Sequence, residues 1–346
     1  MIGEAIRVVI ISISSFAVAL LFTPYALRVL KKFNFGKQIR TSDSTPIFSR
    51  LHEGKEGILT MGGVVIWGSV LALAFIFLML DAIFDGSFGY FNFVDRAQTF
   101  LPIAALLIAA LLGLFDDVLG ILKIGPNGGG LTISRKLLVY TLLSAVGAWW
   151  FFVKLGWAEL HIPFFGNVEI GLWYVPLFMF VIIASAFSAN ETDGLDGLFG
   201  GVSLFAFGAL SVVAFSLGRY DLAAMGGAII GALLAFLWFN IYPAKFIMGD
   251  TGSMALGITL GVVTMLTNTV VLLPFFFFVP VVESLSVIIQ TVSKKTRGKK
   301  IFLSTPIHHH FEALGWPESQ ITMRFWIISV VSAGFGLVLF FIDKFL

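Results

Sequence analysis

The chain has 346 residues, 58% of them hydrophobic and only 12% charged, with a mean hydropathy of +0.98. That composition excludes an ordinary soluble domain and points to an integral membrane protein. A formal net charge of +2 gives no footing for nucleic acid, and the absence of cysteine removes disulfides and thiolate metal sites.

The apolar runs are continuous and do not alternate with period two, so they predict transmembrane helices rather than a β-barrel. About ten spans of roughly 17–25 residues emerge in chain order. They cover 6–30, 58–80, 98–115, 136–155, 171–189, 197–217, 222–241, 252–270, 271–293 and 323–343. The first is too long for a cleaved signal peptide and reads as a membrane helix. The Phe- and Leu-rich ninth reads as lipid-facing surface. The expectation is an all-α integral membrane protein, one polytopic domain over 1–346, with working loops at 31–57, 116–135, 190–196, 242–251 and 294–322.

Loop charge predicts the sides. Lys31, Lys32, Lys37, Arg40, Arg50 and Lys55 crowd the first loop, Lys123, Arg135 and Lys136 the third, and Lys294, Lys295, Arg297, Lys299 and Lys300 the ninth. Loop 156–170 carries no Lys or Arg. Positive charge marks the cytoplasmic side, so odd-numbered loops face the cytoplasm and both termini are extracytoplasmic.

The polar motifs then share one face. Asp116-Asp117 follows the third span and is either a solvated helix end or a metal ligand or base for phosphate chemistry. Asn190, Asp193 and Asp196 stand at i, i+3 and i+6, which on a helical turn would share a side. Met248-Gly249-Asp250-Thr251-Gly252-Ser253 opens a span, where Asp250 or Thr251 could cap the helix, cradle phosphate, or both. His308-His309-His310 is a surface cluster or a phosphate or sugar contact in a basic loop, and three consecutive His cannot all reach one ion easily. Lys55 and Thr60 precede the small pair Gly62-Gly63, as a phosphate contact or a routine anchor. Glu283 is an acid within the ninth span, with a functional and a structural reading.

Four stretches together carry a resemblance: Thr192-Asp193-Gly194-Leu195-Asp196-Gly197, Phe239-Asn240-Ile241-Tyr242-Pro243-Ala244, Met248 to Ser253, and Pro306-Ile307-His308-His309-His310-Phe311-Glu312. They resemble the phospho-N-acetylmuramoyl-pentapeptide transferases (the MraY family) of the polyprenyl-phosphate N-acetylhexosamine-1-phosphate transferase superfamily. Gly315-Trp316-Pro317-Glu318, after the His run, is similar to the muramoyl branch.

The resemblance implies transfer of phospho-MurNAc-pentapeptide from UDP-MurNAc-pentapeptide to undecaprenyl phosphate. The products would be lipid I and UMP, with Mg²⁺ as cofactor, in the first membrane step of peptidoglycan synthesis. It implies a multi-pass protein of the bacterial inner (cytoplasmic) membrane with its active site on the cytoplasmic face, and leaves a homodimer open. Asp116, Asp117, Asp250 and His309 take catalytic roles by this match, with Asp250 and Asp117 toward the metal. Lys55, Thr60, Lys136, Asn190, Asp193, Asp196, Asn240, His308 and His310 take substrate contacts. Three positions depart from the family pattern: Gly57-Ile58-Leu59-Thr60 for its Gly-Thr-Pro-Thr, Ile247 for an aromatic residue, with Phe246 adjacent, and Glu191 for an apolar one. The alternatives are a transferase for another UDP-HexNAc such as UDP-GlcNAc, or a secondary transporter. The latter would want midplane acids and paired repeats.

Overall fold

A computed structural model describes residues 1–33, 35–36, 57–84, 88–95, 98–125 and 129–346. Lys55, together with Lys37, Arg40 and Arg50, lies outside the described residues. The helices are α1 (Ile2–Lys32), α2 (Gly63–Ile83), α3 (Phe100–Ile121), α4 (Ile133–Trp149), α5 (Tyr174–Thr192), α6 (Leu198–Ser216) and α7 (Tyr220–Asn240). They continue as α8 (Asp250–Leu266), α9 (Leu273–Phe276), α10 (Phe278–Arg297), the short α11 (Ile307–Ala313) and α12 (Glu318–Phe345). The expectation of an all-α multi-pass membrane protein holds. Each predicted span falls on helix, and 8 described helices are long and apolar enough to cross a membrane. The bent pair α9–α10 makes a ninth.

The core is organised around α8. Every residue from Thr251 to Leu266 is buried, although the helix has only 17 residues. It is inside protein rather than lipid, which lets it carry Thr251, Ser253, Thr259 and Thr264. Two glycines permit this close packing. A Cβ on Gly113 of α3 would sit 2.2 Å from the Asp250 carbonyl oxygen, and one on Gly63 of α2 would sit 2.3 Å from the Gly252 Cα. Only glycine allows the backbones so near, and Gly113 thereby sets Asp116 and Asp117 against the start of α8.

Three local expectations change. The ninth span is broken, its halves bent by 90° at Phe277. Pro280 supplies a reason, since it has no N–H for the preceding turn and is tolerated only in the first turn of a new helix. The aromatic run there is also not all lipid-facing, because Phe276 and Phe277 are buried. Second, α5 continues through Thr192, so Asn190 and Glu191 are helical and only Asp193 to Gly197 form the turn. Asn190, Asp193 and Asp196 therefore do not share a helical face. Third, residues 159–169 form a hairpin of β1 (Glu159–Ile162) and β2 (Gly166–Glu169), antiparallel from Glu159↔Glu169 to Ile162↔Gly166. His161 ties it to α12, with Nε2 2.7 Å from Asp343 Oδ2.

Candidate active site

The N-terminus of α8 is where the predicted acids meet. Its N-cap is Gly249, in the left-handed region at φ 75°, so neither Asp250 nor Thr251 caps the helix as expected. The N–H groups there are satisfied from α3 and from the turn after α5 instead. Asp117 Oδ1 accepts from the Asp250 N–H at 3.1 Å, and its Oδ2 accepts from the Thr251 N–H at 3.0 Å. Asp193 Oδ2 accepts from the Gly249 N–H at 3.0 Å. These carboxylates also lie at the positive end of the helix dipole. Thr60 is buried beside them: a Cβ on Gly249 would fall 2.7 Å from Asp117 Oδ2 and 2.9 Å from Thr60 Oγ1.

Lys136, at the start of α4, joins the carboxylates. Its ammonium lies 2.9 Å from Asp116 Oδ2 and donates to Asp250 Oδ2. Asp116 is not solvated: it is 4% exposed, and its Oδ1 accepts from the Leu131 N–H at 2.5 Å. Asn190 donates through Nδ2 to Asp250 Oδ1 and to Ser253 Oγ, the latter at 3.4 Å. Among the described residues two carboxylates thus share the Lys136 ammonium, and a third, that of Asp117, lies against the backbone of Asp250. The surplus of negative charge, at the mouth of an apolar bundle, is costly unless a cation joins it.

Asp196 and Asn240 lie in a separate network. Asn240 accepts from the Gly197 N–H at 3.0 Å and donates to the Phe246 carbonyl at 2.8 Å. Asp196 Oδ2 accepts from the Ala244 N–H at 3.0 Å. Glu318, not a predicted site residue, accepts from the Asp196 N–H at 2.6 Å, and Trp326 Nε1 donates to the Gly197 carbonyl at 3.1 Å. The sequence signals for Glu318 are its place after Pro317 at a helix start and its membership of the Gly315-Trp316-Pro317-Glu318 stretch. Phe246 belongs to the core as well: it is 1% exposed, and a Cβ on Gly62 would strike its ring at 1.9 Å. It offers no free face in place of the missing aromatic residue at 247.

The three histidines go to three different partners. His308 is fully buried, its Nδ1 3.1 Å from Glu283 Oε2, and a Cβ on Gly194 would lie 2.2 Å from its Nε2. Burial pulls the His308 imidazole down, the Glu283 charge and hydrogen bond push it up, and the net direction is up. Glu283 is therefore the brace of this histidine, which in turn supports the turn carrying Asp193. His309 Nδ1 is 2.6 Å from Glu312 Oε2, and His310 Nδ1 accepts from the Leu303 N–H at 3.2 Å.

The donors around Asp250 are oxygens, which suits a hard divalent cation. Among the described residues no group of three His or acids is arranged to hold a metal by itself. Mg²⁺ is usually held by one or two carboxylates with substrate phosphates and waters, so its fit here would rest on Asp250 and Asp117. Each carboxylate oxygen has two lone pairs, so the bonds already made leave acceptor capacity at Asp250 and Asp117.

A family model described as glycosyl transferase family 4 matches residues 99–268, which hold most of this centre. The chain is 35% identical over 327 residues to the phospho-N-acetylmuramoyl-pentapeptide-transferase of Geobacillus sp. (strain WCH70), covering 94% of this chain and 95% of that one. It is 34% identical over 352 residues to the protein of the same name from Chloroflexus aurantiacus (strain ATCC 29366 / DSM 635 / J-10-fl), covering 98% and 91%. With the one from Borrelia duttonii (strain Ly) the identity is 36% over 345 residues, covering 93% and 92%. By relatedness along nearly its whole length, the chain belongs to the phospho-N-acetylmuramoyl-pentapeptide transferase family.

Proposed function

We propose that the chain transfers phospho-MurNAc-pentapeptide from UDP-MurNAc-pentapeptide to undecaprenyl phosphate, giving lipid I and UMP. The observation that carries this reading is the Asp116–Lys136–Asp250 chain of contacts, built from α3, α4 and α8 at one end of an apolar bundle. A phosphate of the lipid and a water-soluble nucleotide can meet only at such a boundary. Gathering of the motifs at one end, with the basic loops, supports placing that end at the cytoplasmic face of a bacterial inner membrane.

Phosphoryl transfer asks for positioning and charge neutralisation rather than an elaborate covalent apparatus. Lys136 and Asn190 supply donors to phosphoryl oxygens. Asp117 and Asp193 hold the α8 N-terminus in place, and the Asp116–Asp117 pair receives any proton carried by the attacking phosphate. In the reaction a new O–P bond forms between the lipid phosphate oxygen and the sugar-bearing phosphorus. The P–O bond to UMP breaks, and UMP leaves with its electron pair. Mg²⁺, held by Asp250 and Asp117, would neutralise the diphosphate.

Purified full-length protein given UDP-MurNAc-pentapeptide, undecaprenyl phosphate and Mg²⁺ should release UMP and form a lipid-linked product. Faster release with UDP-GlcNAc would assign another donor. Solute flux across liposomes without any UMP would favour a transporter and overturn the reading.

A further inference from the structure

Tyr140 lies one helical turn along α4 from Lys136, so the two side chains share a face. The residue is 1% exposed and its hydroxyl has no hydrogen-bond partner among the described residues. Buried tyrosine hydroxyls ordinarily find a partner, and leaving one without costs free energy. Tyr140 lines a small cavity between α4 and α5 together with Lys136, Phe187, Asn190 and Glu191. The charges that reach it are Asp250, Lys136, Asp116 and Glu191.

The cavity has a volume of about 10 Å³, close to the least that admits a single water. It therefore takes one oxygen atom and not a whole group. Hydrogen-bonding capacity says which kind. A lysine ammonium has three donors, and Lys136 uses two on Asp116 and Asp250. Tyr140 keeps its one donor unused. Two spare donors line room for one oxygen, and a phosphoryl oxygen can accept from both.

We infer that Tyr140 is a substrate-binding residue whose hydroxyl donates to a phosphoryl oxygen docked on Lys136. This deepens the transferase reading and rests on it. The phosphoryl group belongs either to the acceptor lipid phosphate or to the diphosphate of the nucleotide donor, and the kinetics separate the two.

The test uses full-length Tyr140→Phe, which keeps the ring and removes only the donor. Each substrate is varied at saturating levels of the other. The expected result is a loss of about tenfold or more in kcat/KM, the size of a hydrogen bond to a charged group. It should appear for one substrate, the acceptor lipid if its phosphate is the ligand and the UDP-sugar if the diphosphate is. The thermal midpoint should stay at or above the wild-type value, because the hydroxyl has no partner to lose. Values of kcat/KM within twofold of wild type for both substrates would overturn the inference and leave the cavity holding a structural water only. If the wild type releases no UMP, the transferase reading is what fails. Protection by inorganic pyrophosphate then decides: a smaller rise in the thermal midpoint of Tyr140→Phe than of wild type supports the contact, and an equal rise refutes it.

Discussion

Two polar networks stand at the same end of the bundle, both built from acids in short motifs, and they differ in whether side chains also bind one another. Around Asp196 and Asn240 the side chains bind backbone: Gly197, Ala244 and Phe246 are held by them, while Glu318 and Trp326 hold Asp196 and Gly197 in turn. Around Asp250 the carboxylates of Asp116, Asp117 and Asp193 hold backbone too, but here side chains also bind one another, with Lys136 between two carboxylates and Asn190 on the third side. The first arrangement ties side chains to backbone and fixes where the loops run. The second leaves negative charge in surplus. Geometry thus separates residues that a motif reading treats alike: one set fastens the chain, and the other is arranged for charge.

The sharpest way to break this contrast is at Lys136. Replacing it with Met removes the ammonium between Asp116 and Asp250 and leaves the two carboxylates facing each other. Turnover should fall by about a thousandfold, in the range for loss of one preorganised electrostatic group. Stability should fall by about 3–5 kcal/mol, as when one partner of a buried pair is removed. Added Mg²⁺ should raise the thermal midpoint of this variant more than that of wild type. UMP release and unfolding in detergent measure these effects.

Asn240→Ala tests the fastener. It leaves the Gly197 N–H and the Phe246 carbonyl buried without partners, which costs about 2–5 kcal/mol in all. Denaturant unfolding should show that loss. Turnover per folded molecule, assayed well below the transition, should stay within a few-fold of wild type.

The smallest effect is expected at the hairpin, away from both networks. His161 is pulled down by its partial burial but pushed up further by its hydrogen bonds to Asp343 and Asn167. A raised native value means that the pairing stabilises fully below the unfolded value of 6.5 and fades as pH rises through the native one. Asp343→Asn should therefore destabilise most near pH 6 and least near pH 9. The effect should be a few tenths of a kcal/mol, since His161 is partly open to solvent. Thermal midpoints across that pH range measure it.

Much of the fold was legible because bilayer-length apolar runs leave the backbone few options. The meeting of Asp116, Asp117 and Asp250 at one end followed from loop charge. What escaped depends on contacts remote in sequence. Asp117 capping α8 needs the approach permitted by Gly113. The clasp role of Asn240 requires knowing that Gly197 and Phe246 lie on either side of it. Tyr140 has no motif at all: a tyrosine in an apolar run looks like core packing, and only its unpartnered hydroxyl beside Lys136 marks it. The hairpin was hidden because strands of four residues give too little periodicity to read.

The most direct measurement sets Asp250→Asn beside Asn240→Ala in one UMP-release assay, at a temperature where unfolding curves show both variants folded. The account predicts that Asp250→Asn keeps near wild-type stability and loses turnover by a thousandfold or so. Asn240→Ala should be the less stable protein and the active one. An Asp250→Asn variant that turns over at the wild-type rate, or an Asn240→Ala variant that is fully stable but inactive, would contradict the division between charge centre and fastener.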